Sequence, residues 1–216
     1  MSISPDRFDI DHFKINVENG TIDLRSGKLL PHNRADFITK LSPVKYDPDA
    51  KCPLWDRTIA SIFNNNRDTI GFFQRFSGYC LSGSVVEQIM VVAWGGGSNG
   101  KGIITNTYFG IWGDYATKAP ETLLISKNFN SHPCELAKLQ GVRLCIANET
   151  SDGAELAEAR IKDLTGSDRL TARGMKENFW DFWPTHKFIL STNFKPRVKG
   201  GHSIWRRIRL LAFLRR

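Results

Sequence analysis

The sequence is short of several things that mark other protein classes. Its four cysteines, Cys52, Cys80, Cys134 and Cys145, lie far apart with no C-x-x-C pair. That spacing suits reduced, buried thiols in a cytoplasmic protein rather than a disulfide scaffold. Only His132 and Cys134 with Cys145 could together ligate zinc, and one clustered pair is weak grounds for such a site. No apolar run approaches the roughly 18 residues of a membrane span, so no membrane partner is expected. The opening MSISPDRFDID is acidic and polar, unlike a secretory signal. Acidic residues are scarce toward the end of the chain. Residues 160–216 hold 14 Lys/Arg against 4 Asp/Glu, a balance of +10, whereas the rest holds 16 against 18. Such asymmetry points to an anionic partner, most commonly nucleic acid, or else to a solvated basic face. What is present, 216 residues with 41% apolar and 24% charged, is the makeup of a globular protein.

The most informative stretch is GGGSNGKG, comprising Gly95, Gly96, Gly97, Ser98, Asn99, Gly100, Lys101 and Gly102. It follows the apolar run Gln88–Trp94, and a helix is expected from Ile103 to Trp112, closed by Gly113. A strand, a glycine-rich turn and a helix in that order form the context of a phosphate-binding P-loop. Glycines let backbone N–H groups converge on an anion, and the helix N-terminus adds partial positive charge. Lys101 can then reach the terminal phosphates. The spacing fits G-x-x-x-x-G-K, but Gly102 stands where Ser or Thr would hold magnesium. The plainer alternative is an ordinary glycine-rich turn.

Before that loop, residues 13–30 alternate as a β-meander, with turns at Asn19-Gly20 and Ser26-Gly27. Residues 42–52 are a Pro/Asp-rich boundary. Pro53 opens one helix, Asn64-Asn65-Asn66 breaks it, and a second runs from about Asp68 to Cys80. The expected division is therefore 1–50, a meander and linker; 51–84, a helical subdomain; and 85–216, an α/β core. After the P-loop helix, Gly113-Asp114-Tyr115 opens a loop, and a short helix is possible at Pro133–Leu139. Val142–Ala147 reads as a second parallel strand, with Asn148 and Glu149 at its carboxyl end, where ligands sit in open α/β sheets. A helix is expected over 151–165, capped by Ser151 or Asp152 and stopped by Gly166. Leu170–Arg173 and Phe179–Trp183 form a hairpin with Arg173 and Lys176 near its tip. Basic and aromatic groups on a projecting ribbon suit single-stranded nucleic acid; the alternative is a surface hairpin whose Trp180 and Trp183 pack inward. His186–Asn193 is a third core strand, and Ile204–Phe213 a final one led by Arg206 and Arg207. An arginine so placed can reach a neighbouring subunit's nucleotide, although an Arg-Arg pair is more often plain surface charge.

Taken together, SNGKG, RLCIANE, IKDLTGSDRLTAR, FILSTN and WRRI, in that order, resemble the superfamily 3 helicase domain of phage and plasmid D5-like replicative primase–helicases. NVENGTIDL, YDPDAKCPLW and FFQRFSGYCLSG resemble the region preceding that helicase, so the likeness covers about residues 14–213. The resemblance implies an AAA+-like P-loop α/β core, ATP and magnesium as cofactors, a homo-oligomeric ring (usually a hexamer), and translocation on single-stranded or forked DNA in a bacterial or virus-infected cell. It implies a cradle of residues 95–103, Ile103 included, with Lys101 on phosphate. Glu149 would be the catalytic and magnesium-placing acid, and Asn193 the sensor. Arg206 or Arg207 would be the finger, and the Lys176 hairpin would face the pore. Three departures stand out. Gly102 lacks the hydroxyl, for which Thr105, a turn further on, is the substitute at hand; Asn148 leaves Glu149 as the lone acid; and the chain stops just after the last core strand. No primase precedes Met1, so a separately encoded primase is expected. Two further readings remain: a non-hydrolysing ATP-binding, DNA-binding replication factor, and a P-loop ATPase acting on protein or packaged DNA.

Overall fold

The computed structural model describes residues 7–126, 133–148, 152–176 and 178–214. The chain opens with an antiparallel meander of β1 (Lys14–Val17), β2 (Gly20–Asp23) and β3 (Lys28–Leu30). Val17 pairs with Gly20, so the first turn falls on Glu18-Asn19, one residue earlier than expected. Helices α1 (Pro53–Ile62) and α2 (Arg67–Leu81) follow, and Asn66 caps the second by accepting from the Thr69 amide. Next come β4 (Met90–Trp94), α3 (Lys101–Trp112), β5 (Ala116–Ala119), α4 (Pro133–Ala137), β6 (Leu144–Asn148) and α5 (Glu158–Thr165). The hairpin is β7 (Leu170–Arg173) with β8 (Phe179–Phe182), and β9 (Lys187–Thr192), α6 (His202–Trp205) and β10 (Ile208–Ala212) complete the chain.

The core is a five-stranded sheet in the order β10-β4-β9-β6-β5, with every neighbouring pair parallel. Parallel strands covered on both faces must be apolar almost throughout, and β4, β6 and β9 are buried at nearly every position. Alternate residues divide between the faces. Val91, Ala93, Ile146 and Ile189 pack with Ile59, Phe73, Ile104 and Tyr108 from α1, α2 and α3. Met90, Val92, Cys145 and Leu190 pack on the other side with Leu136, Ile161, Leu164 and the hairpin's Ala172 and Phe182. Ile15 of the meander belongs to the first of these clusters, so one apolar core joins meander, helices and sheet.

Two buried cations fasten the amino edge of the sheet to what precedes it. Arg143 donates from Nη1 to the His12 and Leu81 carbonyls at 2.5 and 3.0 Å, and from Nη2 to the Lys14 carbonyl at 3.1 Å. Lys187 donates to the carbonyls of Ser82, Ser84 and Thr185, and its Nζ lies 4.9 Å from the centre of the Tyr79 ring. Burial pushes the Lys187 ammonium down to about 7, with the Arg143 charge adding to the effect.

Four expectations about local structure need correction. β5 falls where Gly113-Asp114-Tyr115 is expected to open a loop: its ATKA has no apolar run because it is an edge strand with Lys118 pointing outward. The 151–165 helix begins only at Glu158. The backbone of 154–156 is engaged instead with Arg197 and Ser126, through Arg197 N to Ala154 O at 2.8 Å, Leu156 N to Arg197 O at 2.9 Å and Ser126 N to Glu155 O at 2.7 Å. Ile204 and Trp205 are helical, so the last strand starts at Ile208. Trp183 is 55% exposed rather than packed inward, whereas Trp180 is half-buried and donates to Gln140 Oε1 at 3.0 Å. Among the cysteines, Cys80 and Cys145 are buried as expected and Cys52 is exposed.

Candidate nucleotide site at the carboxyl edge of the sheet

The loop between β4 and α3 takes its shape from two glycines. A Cβ on Gly95 would sit 2.1 Å from the Phe213 carbonyl oxygen and 2.4 Å from Asn99 Nδ2. Gly100, at φ +93°, caps α3, and a Cβ there would meet the Ile62 side chain at 2.5 Å. The loop is thus held close against the end of β10 on one side and α1 on the other. Above it lies a cavity of about 620 Å³, lined by Gly97 to Ile103, Thr105, Asn106, Asn148, Ser191, Thr192 and Asn193.

These groups meet because of register. Trp94 pairs with Thr192, and Asn148 with Ser191, so β4, β9 and β6 end level with one another. Adjacent strands lie about 4.8 Å apart, and β9 stands between the other two, so the cavity spans about two strand spacings. Lys101 and Asn193 therefore line one cavity, with Asn148 opposite. Glu149 and His132 lie outside the described residues. Asn106 and Ser191 also line the cavity and were not anticipated. Ser191 falls within FILSTN, two residues before Asn193, and Asn106 follows Thr105 on α3 outside any of the recognised motifs.

Lys101 is 8% exposed, and among the described residues no carboxylate pairs with it. Its ammonium donates to the Gly95 and Gly96 carbonyls and, at 3.1 Å, to Asn99 Oδ1. Burial lowers its pKa. A desolvated cation below an open backbone loop and a helix N-terminus can bind a polyanion. The residues fit a triphosphate tail better than they fit its magnesium. Gly102 contributes no side-chain oxygen, and the Thr105 hydroxyl donates to the Gly102 carbonyl at 3.2 Å. Among the described residues no group of three His, Cys, Asp or Glu could hold a metal; the His132, Cys134 and Cys145 grouping includes a residue outside them.

The other expected residues lie elsewhere. The Met90 amide donates to the Arg207 carbonyl at 2.8 Å, which puts both arginines at the amino end of β4 and β10. A five-residue strand of about 15 Å separates them from the loop of their own chain. Arg206 is exposed and donates to Gln88 Oε1 at 3.0 Å. Arg207 is buried, donates to Thr165 Oγ1 at 3.0 Å and has no partner for its Nε; burial and the adjacent Arg206 charge lower its pKa. Arg173 and Lys176 are exposed on the hairpin, with the Arg173 guanidinium 5.1 Å from the Phe179 ring centre and Lys176 at φ +61° in the tip.

Comparison with known families agrees with this architecture. Residues 93–207 match the family of unknown function DUF5906, and residues 1–64 match the family described as D5 N terminal like. The chain belongs to the DUF5906 family. It is 27% identical over 218 residues to "Putative helicase L207/L206" of Acanthamoeba polyphaga mimivirus, covering 95% of this chain and 22% of that protein. It is 22% identical over 204 residues to "Putative primase C962R" of African swine fever virus, covering 90% and 21%. The chain thus spans about a fifth of the length of these curated relatives. The apo structure of the NrS-1 C-terminal region superposes with a TM-score of 0.60 at 17% identity, over 82% of this chain and 40% of that one. This DUF5906 chain has a P-loop NTPase-like α/β core. None of its helices is long and apolar enough to cross a membrane, among the described residues.

Proposed function

We propose that this chain is the ATP-hydrolysing helicase module of a DNA replication protein, encoded by a virus, phage, plasmid or other mobile element. The single observation that carries the reading is the meeting of Lys101 and Asn193 in one cavity at the carboxyl edge of the sheet. Residues 95–103 would cradle the phosphates of ATP, with Lys101 on the terminal ones. Asn193 would contact the γ-phosphate or orient the attacking water. Glu149, next along the chain from Asn148, would polarise that water and help place magnesium, with Thr105 the nearest hydroxyl on α3. Magnesium, when bound, would neutralise charge on the phosphates. Because Arg206 lies at the far end of the sheet from its own loop, it would serve a neighbouring copy, as in a closed, six-membered homo-oligomeric ring. Buried Arg207 fits that role less well. The hairpin with Arg173 and Lys176 would grip single-stranded or forked DNA. The working division is 1–50, 51–84 and 85–216.

DNA-stimulated ATPase activity tests the proposal, with Lys101→Ala as the control. Turnover that Lys101→Ala leaves undiminished would defeat the assignment. A second reading, an ATP-binding, DNA-binding replication factor that does not hydrolyse, is favoured by Gly102. It predicts ATP binding without turnover whether or not DNA is present.

A further inference from the structure

Asn99 is the one residue of the glycine-rich loop whose side chain works in two directions. It is 4% exposed. Its Oδ1 accepts from Lys101 Nζ at 3.1 Å, and its Nδ2 donates to the Phe213 carbonyl at 3.0 Å. Phe213 directly follows β10, and its own amide donates to the Trp94 carbonyl at 2.7 Å. The amide thus ties the lysine to the point where β10 and β4 end together. An ammonium has three N–H donors; the Gly95 carbonyl, the Gly96 carbonyl and Asn99 account for three acceptors. For Lys101 to donate to a phosphate, at least one of these bonds must be exchanged.

We propose that Asn99 is a positioning residue that holds Lys101 against the end of β10, and that nucleotide capture proceeds by transfer of the lysine from this amide to the phosphates. The proposal rests on the nucleotide reading of the cavity. The amide is matched to that task. As a neutral acceptor it orients the ammonium yet yields it to a charged phosphate, because charge-assisted bonds are the stronger kind. A carboxylate would compete with the phosphate instead.

The test compares Asn99→Ala and Asn99→Asp in the full chain, because the two separate the amide's jobs. Both lose the donor to Phe213. Only the lysine's acceptor differs, absent in one and charged in the other. The first measurement is acetylation of Lys101 by acetic anhydride in nucleotide-free protein, read by peptide mass spectrometry. Losing an acceptor favours the reactive free amine and gaining a carboxylate disfavours it. The Asn99→Ala rate is expected to rise, and the Asn99→Asp rate to fall, each by about tenfold for each unit the lysine shifts. The second measurement is ATP affinity: Asn99→Asp is expected to bind about tenfold more weakly than the parent or worse, and Asn99→Ala to lose less affinity than Asn99→Asp.

Labelling that moves in the same direction in both variants would mean that Asn99 acts only through Phe213, and would overturn the proposal. So would unchanged ATP affinity in Asn99→Asp where Lys101→Ala loses binding. If the parent chain takes up no ATP, the nucleotide reading fails and the transfer step with it. Opposite labelling shifts would then still establish the hold on Lys101.

Discussion

Gly102→Ser puts the departure from the P-loop pattern to a direct test. Gly102 is the second residue of α3, it is exposed, and a Cβ built on it meets no atom within 4 Å. Its neighbours Lys101 and Ile103 line the cavity, as it does itself. A serine therefore fits without displacing anything. In a helix it is favoured over glycine by about 0.5 kcal/mol, which for a chain of this size raises the melting temperature by about 1–2 °C. The larger effect is expected on magnesium. A hydroxyl at 102 offers an oxygen where Thr105, already donating to the Gly102 carbonyl, offers one less freely. One added inner ligand for a hard cation is expected to lower the Mg²⁺ needed for half-maximal ATP binding by about tenfold, or about 1.4 kcal/mol. The assay is ATP binding titrated with Mg²⁺, alongside thermal melting. A lower melting temperature would contradict the open space at 102. An unmoved Mg²⁺ midpoint with the fold intact would mean that magnesium is not held beside this residue.

Other outcomes follow from the same geometry. Arg206→Ala is expected to leave stability within about 0.5 kcal/mol, because its partner Gln88 is at the surface, yet to abolish ATP turnover in the assembled protein; melting and ATPase measurements check both. Arg207→Ala removes the guanidinium bond to Thr165, whose hydroxyl still donates to the Ile161 carbonyl at 2.6 Å, and opens buried space, so it is expected to cost about 1–3 kcal/mol in urea unfolding. Lys176→Ala is expected to weaken single-stranded DNA binding and to reduce the salt slope by about one phosphate contact in a salt titration. Lys187 has a folded pKa of about 7, below its ordinary 10.5, so above pH 7 the unfolded chain binds more protons. Its contribution therefore makes stability rise from pH 7 toward 9, and Lys187→Met is expected to flatten that rise in urea melts at stepped pH.

Much of this architecture is legible in the residues. β4, β6 and β9 announce themselves as apolar runs because both faces of a parallel sheet are covered, and the glycine-rich loop after β4 fixes which strand faces the ligand. β5 is hidden because an edge strand needs only one inward residue in two, and ATKA supplies little apolar surface. The late start of α5 is hidden for another reason: the backbone of 154–156 is claimed by Arg197, more than forty positions away, and no local propensity records a distant partner.

The arginines show most clearly where sequence spacing runs out. Arg206 and Arg207 are adjacent and chemically identical, and either could head the last strand in the same motif. What separates them is the half-turn between α6 and β10, which sends one outward to Gln88 and the other inward to Thr165 of α5. The inward one also carries an unpartnered buried Nε. A guanidinium so placed is held by its own fold, and withdrawing it to reach another subunit would break its bond to Thr165. The outward one is free to swing at the cost of a single surface bond. The choice between them therefore lies in the packing of α5 against the end of the sheet. A double variant, Arg207→Met with Thr165→Val, removes both buried polar partners together and should retain ATP turnover. Loss of turnover in that variant with the fold intact would return the finger to Arg207.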